Sequence, residues 1–213
     1  MKGPFTDSES VKGPFTALRS CAGPLTPTLP TPCVTPAADG HITIPDPIAG
    51  WAAGELRPDQ LAVLDGLPLS VTIDVDGLGW VLFRHATPRD DEEVVLVDSP
   101  PERWLEVLAG TEAETVVCGH THMPFARLAG RRRIVNPGSV GMPYGTAGAH
   151  WALGPGVQLR RTVFDAESAA RVLEETSAYP GIAAWATDFL RNPASDLEAL
   201  RGFSPRARGT TAT

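Results

Sequence analysis

Two histidines follow an apolar run in the segment TVVCGHTH, at residues 115–122. The β-branched residues predict a buried strand, and the glycine ends that strand where the backbone needs freedom. Residues two apart in extended backbone point the same way, so both imidazoles can reach one point. Neutral imidazole is a common metal ligand, and a strand end holds a ligand firmly while leaving it open to substrate. The pattern therefore predicts half of a metal site at His120 and His122.

A third histidine ends a second apolar run, WVLFRH at residues 80–85, and a third run closes in Asn-Pro-Gly-Ser at residues 136–139. Three strands would thus deliver His85, His120, His122 and a glycine-rich loop to one edge of a sheet. The competing interpretation is that His85 merely ends a strand and that a surface loop happens to hold the other two. The expected convergence of three strand ends at one edge of the sheet favours the metal site.

The order of these segments, HATPR at residues 85–89, GHTHMP at 119–124 and NPGSVG at 136–141, resembles the calcineurin-like metallophosphoesterases. The likeness is to their small bacterial phosphodiesterase branch, and it runs from about Asp46 to about Phe203. It implies an α/β fold, a β-sandwich flanked by helices, with two divalent ions (Mn, Zn or Fe) at strand ends. It also implies that His120 and His122 contact different ions and that His85 contacts the same ion as His120.

The carboxylate motifs of that family are not found on apolar strands of this chain. Its members open with Asp-x-His on a first strand, followed by a Gly-Asp whose carboxylate bridges the ions and then a Gly-Asn. Asp39-Gly40-His41 has the Asp-x-His spacing but follows a proline-rich stretch rather than an apolar strand, and no Gly-Asp or Gly-Asn pair lies upstream of His85. Three neutral imidazoles cannot offset the charge of two divalent ions. The sequence therefore predicts a sandwich lacking its N-terminal strands, an incomplete dinuclear site and no assignable catalytic residue.

Composition narrows the class of protein. The chain has 213 residues, is 42% hydrophobic and carries a formal net charge of −7, which suits one domain and argues against a nucleic-acid groove or a membrane-surface role. A small phosphate ester as the substrate is what the resemblance implies. Its three cysteines are irregularly spaced and indicate no disulfide framework. No apolar stretch is long enough to span a bilayer. A cytoplasmic location is expected, and the oligomeric state stays open.

The chain divides into three predicted parts. Residues 1–40 are rich in proline, threonine and glycine, and repeat KGPFT at residues 2–6 and 12–16. Prolines remove donors and fix φ, so this part is expected to be disordered, or to be the aberrant product of a wrong start or shifted frame; a proline-rich docking tail is the alternative. Residues 41–203 form a partial phosphoesterase domain, and residues 204–213 a flexible tail.

The elements that position the histidines follow from periodicity and turn signals. Helices are predicted over residues 48–56, 58–64, 101–108, 166–178 and 182–190. Strands are predicted over 69–75, 80–85, 115–118, 125–128, 133–135, 150–153 and 157–164, which include three hairpins. Of the remaining signals, the acidic run at residues 89–93 predicts the solvated start of a short helix, and Asn136 a structural role.

Together these features predict a metal-dependent phosphoesterase-like protein that hydrolyses phosphodiesters or phosphomonoesters and is impaired by the missing carboxylates. The alternative is a non-catalytic remnant or binding module of the same fold. A third possibility is a chain that meets a separate N-terminal half.

Overall fold

The computed structural model describes residues 47–154 and 156–207. These residues fall into two compact units, divided between Pro68 and Leu69. The predictions made for residues 1–40 lie outside the described residues, and so does most of the predicted tail. Within the described ranges, no helix combines the length and the apolar character needed to cross a membrane.

The first unit contributes two helices, α1 (Pro47–Glu55) and α2 (Pro58–Asp65), both close to their predicted bounds. Proline suits the first position of α2 because its missing N–H would have no partner there anyway. The backbone N–H of Arg57 donates to the side chain of Gln60 at 3.0 Å, which closes the first turn. Gly66 follows the last residue and ends the helix, as predicted.

The second unit is built on a five-stranded sheet with strand order β1-β2-β3-β5-β4. The strands are β1 (Ser70–Val75), β2 (Gly79–Arg84), β3 (Thr115–Val117), β4 (Phe125–Ala129) and β5 (Arg132–Asn136). The predicted hairpins β1–β2 and β4–β5 are confirmed as antiparallel pairs, while β3 lies parallel to both β2 and β5. Parallel neighbours end at the same edge, so β2, β3 and β5 deliver their following loops to one place.

The remaining elements confirm the α/β class and add one helix that the sequence did not predict. They are α3 (Pro101–Val107), the hairpin β6 (Ala149–Leu153) and β7 (Gln158–Thr162), α4 (Ala166–Thr176), α5 (Ile182–Ala186) with a π-helical turn (Thr187–Arg191), and α6 (Asp196–Ala207). Helix α6 is the unpredicted one. It continues through Ala207, past Ser204, where the flexible tail was expected to begin.

The main core lies between α3 and one face of the large sheet. Val116 and Ile134 are fully buried side by side on β3 and β5. The rings of Trp104 and Phe125 meet edge to face with centroids 5.9 Å apart. Arg127 lies over Trp104 and donates to the carbonyl of Ser99 at 3.0 Å, so this inward-facing cation is satisfied by backbone oxygens.

A second cluster attaches α6 to the loops at the functional edge of the sheet. Val94, Leu96 and Met123 are buried against Ala199 of α6, with Phe203 packed alongside. Burial of this many apolar groups fixes the otherwise polar helix α6 in place.

The acidic run at residues 89–93 forms no helix; Arg89, Asp90 and Glu92 are exposed as predicted, whereas Asp91 and Glu93 are half-buried. Glu93 accepts a hydrogen bond from Thr87 at 2.6 Å and pairs with both Arg89 and Arg103 at 2.6 Å. Asp91 pairs with Arg84 at 2.9 Å, and both side chains are largely shielded from solvent. Because these carboxylates pair with Arg84 of β2, Arg103 of α3 and Arg89 of the loop itself, the run binds the chain after His85 to the sheet and to α3 instead of starting a helix.

We expect Ile134→Ala to lower the free energy of unfolding by about 2–5 kcal/mol, because it leaves a cavity at a fully buried position. The matched control is Leu128→Ala on the adjacent strand β4, where the side chain is 68% exposed and the loss should stay below about 1 kcal/mol. Urea denaturation of both variants measures the difference. Equal losses would contradict the location of the core.

Candidate metal centre

Backbone hydrogen bonds join the loops that carry the histidines. The N–H of Gly119 donates to the carbonyl of His85 at 2.7 Å, and the N–H of Cys118 donates to Val135 at 2.8 Å. Parallel pairing therefore continues past the ends of β2, β3 and β5. The predicted meeting of three strand ends at one edge is found.

The structure brings the three histidine rings into one neighbourhood. The rings of His85 and His120 have centroids 5.2 Å apart at an interplanar angle of 68°. Burial, and then the charge of His85, lowers the pKa of His122 to about 4. Burial, followed by repulsion from His85, Arg206 and His122, lowers the pKa of His120 to about 3. Each ring is half-buried and stays neutral at pH 7, the form that binds metals.

Two ring nitrogens reveal how the imidazoles are oriented. Nδ1 of His122 lies 3.1 Å from the carbonyl oxygen of Met142, which favours a proton on Nδ1 and leaves Nε2 as an electron-pair donor. The backbone of Glu92 partly offsets the lowered pKa of His120, while the buried Nε2 of this ring has no hydrogen-bond partner. A buried, unpartnered nitrogen is costly, and a metal ion is one group that would satisfy it.

Both loop histidines have left-handed backbone, with φ of 63° at His120 and 58° at His122. The sequence argument assumed extended backbone at this point, and that assumption is wrong. The N–H of Thr121 donates to the carbonyl of Gly119 at 2.7 Å, which makes a tight turn between the two histidines. Left-handed backbone costs a non-glycine residue about 1–2 kcal/mol, so surrounding contacts must hold this loop.

Asn136 supplies those contacts and is only 1% exposed. Its Nδ2 donates to the carbonyl of Gly119 at 2.7 Å and to Oγ1 of Thr121 at 3.1 Å. Its Oδ1 accepts from the N–H of Gly138 at 2.9 Å. One buried amide thus joins the histidine loop to the Asn-Pro-Gly-Ser loop, and the structural role predicted for Asn136 is confirmed.

The Asn-Pro-Gly-Ser loop packs too closely for a side chain at its glycine. Gly138 has a φ of +85°, and a Cβ there would lie 2.7 Å from Cβ of His150 and 3.2 Å from Pro124. The ring of His150 has Nε2 2.9 Å from the carbonyl oxygen of Thr146. His150 therefore supports the loop and stays apart from the three clustered histidines, as its neighbours in the sequence indicated.

Aromatic rings cover the cluster from the side of α6, which sequence patterns did not reveal. Tyr144 stacks on His122 with ring centroids 6.1 Å apart and an interplanar angle of 26°. Phe203 meets Tyr144 edge to face at 6.0 Å. Gly202 and Pro205, on either side of Phe203, mask the helical pattern that would have predicted this cover.

Carboxylates are the part of a two-ion centre that the described residues do not supply. Burial lowers the pKa of His85, and the charge of Asp91 partly opposes that shift, so Asp91 lies within electrostatic range of the ring. Its carboxylate is already paired with Arg84 at 2.9 Å. Over residues 47–154 and 156–207, no set of three or more histidine, cysteine, aspartate or glutamate side chains forms a ready-made metal cage. The three imidazoles are among these side chains, so they are not assembled into a ready-made site, and they lack the carboxylates of a dinuclear centre.

Comparisons with known proteins agree with this geometry. Residues 57–154 match the model of the calcineurin-like phosphoesterase superfamily domain. A hypothetical protein from Pyrococcus horikoshii OT3 is 17% identical with a TM-score of 0.59, over 72% of this chain and 64% of that one. A metallophosphoesterase from Sphaerobacter thermophilus is 19% identical with a TM-score of 0.52, over 71% and 69%. At such identities the likeness concerns the fold. No curated protein matches the chain.

We expect Asn136→Asp to cost about 2–5 kcal/mol of unfolding free energy, because Gly119 and Thr121 lose their donor and a carboxylate is buried. The control Asn192→Asp makes the same chemical change at an exposed residue and should alter stability by about 0.5 kcal/mol or less. Urea titrations at pH 7 measure both. If the two variants unfolded at similar urea concentrations, Asn136 would not have this structural role.

The lowered histidine pKa values predict a pH dependence of stability in protein freed of metal with EDTA. Unfolding returns each imidazole to a pKa near 6.5, so below that pH the unfolded chain binds protons that the folded chain does not. Stability should therefore be full above about pH 6.5 and fall as the pH drops, by up to about 2 kcal/mol per histidine at pH 5. The double variant His120→Asn, His122→Asn should show a flatter profile between pH 7 and 5; an unchanged slope would contradict the burial of these rings.

Proposed function

Because residues 57–154 match the calcineurin-like phosphoesterase superfamily domain, we propose that this chain binds a divalent metal ion through His85, His120 and His122 and acts on a small phosphate ester. The observation that carries the proposal is the partnerless, buried Nε2 of His120 beside the ring of His85. A nitrogen held in this way is free to donate its electron pair to a cation.

The chain's own residues prepare the imidazoles for this role. The lowered pKa values keep His120 and His122 neutral well below pH 6.5, so protons compete less with the metal than they would at free histidines. The Met142 carbonyl orients His122, and Asn136 holds the left-handed loop. A bound Mn²⁺, Zn²⁺ or Fe ion would polarise a phosphoryl oxygen and lower the pKa of a bound water.

Hydrolysis by the chain alone is proposed to be weak. Asp91 is occupied by Arg84, and the described residues offer no carboxylate set to bridge a second ion. The chain also spans only 64% of the length of the Pyrococcus protein. The pairing of Asp91 with Arg84 favours the second candidate function, a binding module of the same fold, over an efficient hydrolase.

The acidic composition, with a net charge of −7, disfavours a nucleic-acid substrate. Cys118 is buried as a free thiol, and burial raises its pKa to about 12. An unreactive free thiol suits a reducing compartment, which supports a cytoplasmic location.

The proposal predicts Mn²⁺ binding that depends on the clustered histidines. We expect His120→Ala to weaken Mn²⁺ affinity by at least about tenfold, whereas His150→Ala, which alters a histidine bonded to Thr146, should leave it unchanged. Isothermal titration calorimetry at pH 7 measures the affinities. Failure of the unaltered protein to bind Mn²⁺ would refute the proposal.

Turnover of a bis-aryl phosphodiester, assayed with excess Mn²⁺, separates the two candidate functions. Weak turnover that EDTA and His120→Ala both abolish supports a phosphoesterase that lacks part of its ligand set. Binding without turnover supports the binding module. Robust turnover lost in His120→Ala would show that the chain supplies its own missing ligands.

A further inference from the structure

The end of helix α6 places a guanidinium group beside the histidine cluster. Nη2 of Arg206 lies 3.4 Å from the carbonyl oxygen of Glu92, the residue whose backbone partly offsets the lowered pKa of His120. Burial first, and then the charges of His85 and Arg206, lower the pKa of His120, which is consistent with this closeness. Arg206 and His120 therefore both lie near the backbone of Glu92.

Contacts along α6 hold Arg206 at this place. Its guanidinium lies 6.0 Å from the ring centroid of Phe203, which in turn packs on Tyr144 and through it reaches His122. Helix α6 is also anchored by Ala199, which is buried against Met123 beside the histidine loop. The position of Arg206 is therefore coupled to His122 through packed rings.

The charge of Arg206 is left available by its surroundings. Among the described residues, Arg206 contacts the carbonyl oxygen of Glu92 and the face of the Phe203 ring, and no carboxylate pairs with it. The other arginines near this edge are committed, Arg84 to Asp91 and Arg89 to Glu93. A guanidinium has five donors in a planar fork that matches the oxygens of a phosphate.

We propose that Arg206 is a phosphate-binding residue of the histidine cluster, which contacts a nonbridging oxygen of the substrate while the imidazoles hold the metal. This inference rests on the proposed function, because it assigns the substrate's anionic group to the same site. It also gives α6 a role in binding. The described residues supply few ligands for a second ion, and the positive charge of Arg206 would attract the phosphate in its place.

The test compares Arg206→Gln with Arg201→Gln, which removes an exposed arginine five residues earlier on the same helix. Inorganic phosphate is the probe, and isothermal titration calorimetry is run on Mn²⁺-loaded and on EDTA-treated protein. We expect Arg206→Gln to weaken phosphate binding at least about tenfold, equivalent to about 1.4 kcal/mol. Arg201→Gln should bind phosphate as the unaltered protein does, and Arg206→Lys should lie between the two.

The readouts separate this inference from the proposed function. Unchanged Mn²⁺ affinity and an unchanged melting temperature in Arg206→Gln, together with the loss in phosphate affinity, support direct contact. Equal phosphate affinities for Arg206→Gln and Arg201→Gln, or no phosphate binding by the unaltered protein in either state, overturn the inference. If Mn²⁺ does not bind at all, the proposed function fails, and the comparison in EDTA still decides whether Arg206 binds phosphate.

Discussion

The side-chain amide of Asn136 is the interaction on which the functional edge depends. Two donors and one acceptor of this amide join the histidine loop to the Asn-Pro-Gly-Ser loop. Without it, His120 and His122 would have no evident reason to remain in left-handed backbone. Because the amide is buried, each of its hydrogen bonds replaces one that water can no longer provide. A single residue on β5 therefore sets the geometry of side chains that follow β3.

Sheet order explains why this amide lies within reach of the histidines. Strand β3 is short, yet it runs parallel to β2 on one side and β5 on the other. The loops after these strands must then leave the sheet together, and α3 makes the crossover that allows β2 and β3 to be parallel. The core under α3, centred on Val116 and Ile134, holds this arrangement and thereby holds the site.

Several parts of this architecture were predictable because they rest on local signals. The hairpins follow from alternating patterns and glycine turns, and the nearness of His85, His120 and His122 follows from strand ends. The backbone at the two loop histidines was not predictable, since it depends on Asn136, which lies 16 residues after His120 in the chain. Helix α6 escaped prediction because its stability comes from burial against Met123 and Leu96, which outweighs Gly202 and Pro205. Glu93 and Asp91 were misjudged because their cationic partners come from other elements.

The left-handed backbone at His120 and His122 also bears on how this chain has evolved. Glycine adopts that backbone without cost, and asparagine adopts it more readily than most residues. Drift in a protein that needed only its fold would favour either residue at both positions, since each replacement would relieve strain and remove an imidazole that is unfavourable to bury. Histidine at both positions therefore makes the fold less stable than glycine or asparagine would. The metal binding that we propose for these imidazoles would account for histidine at both positions.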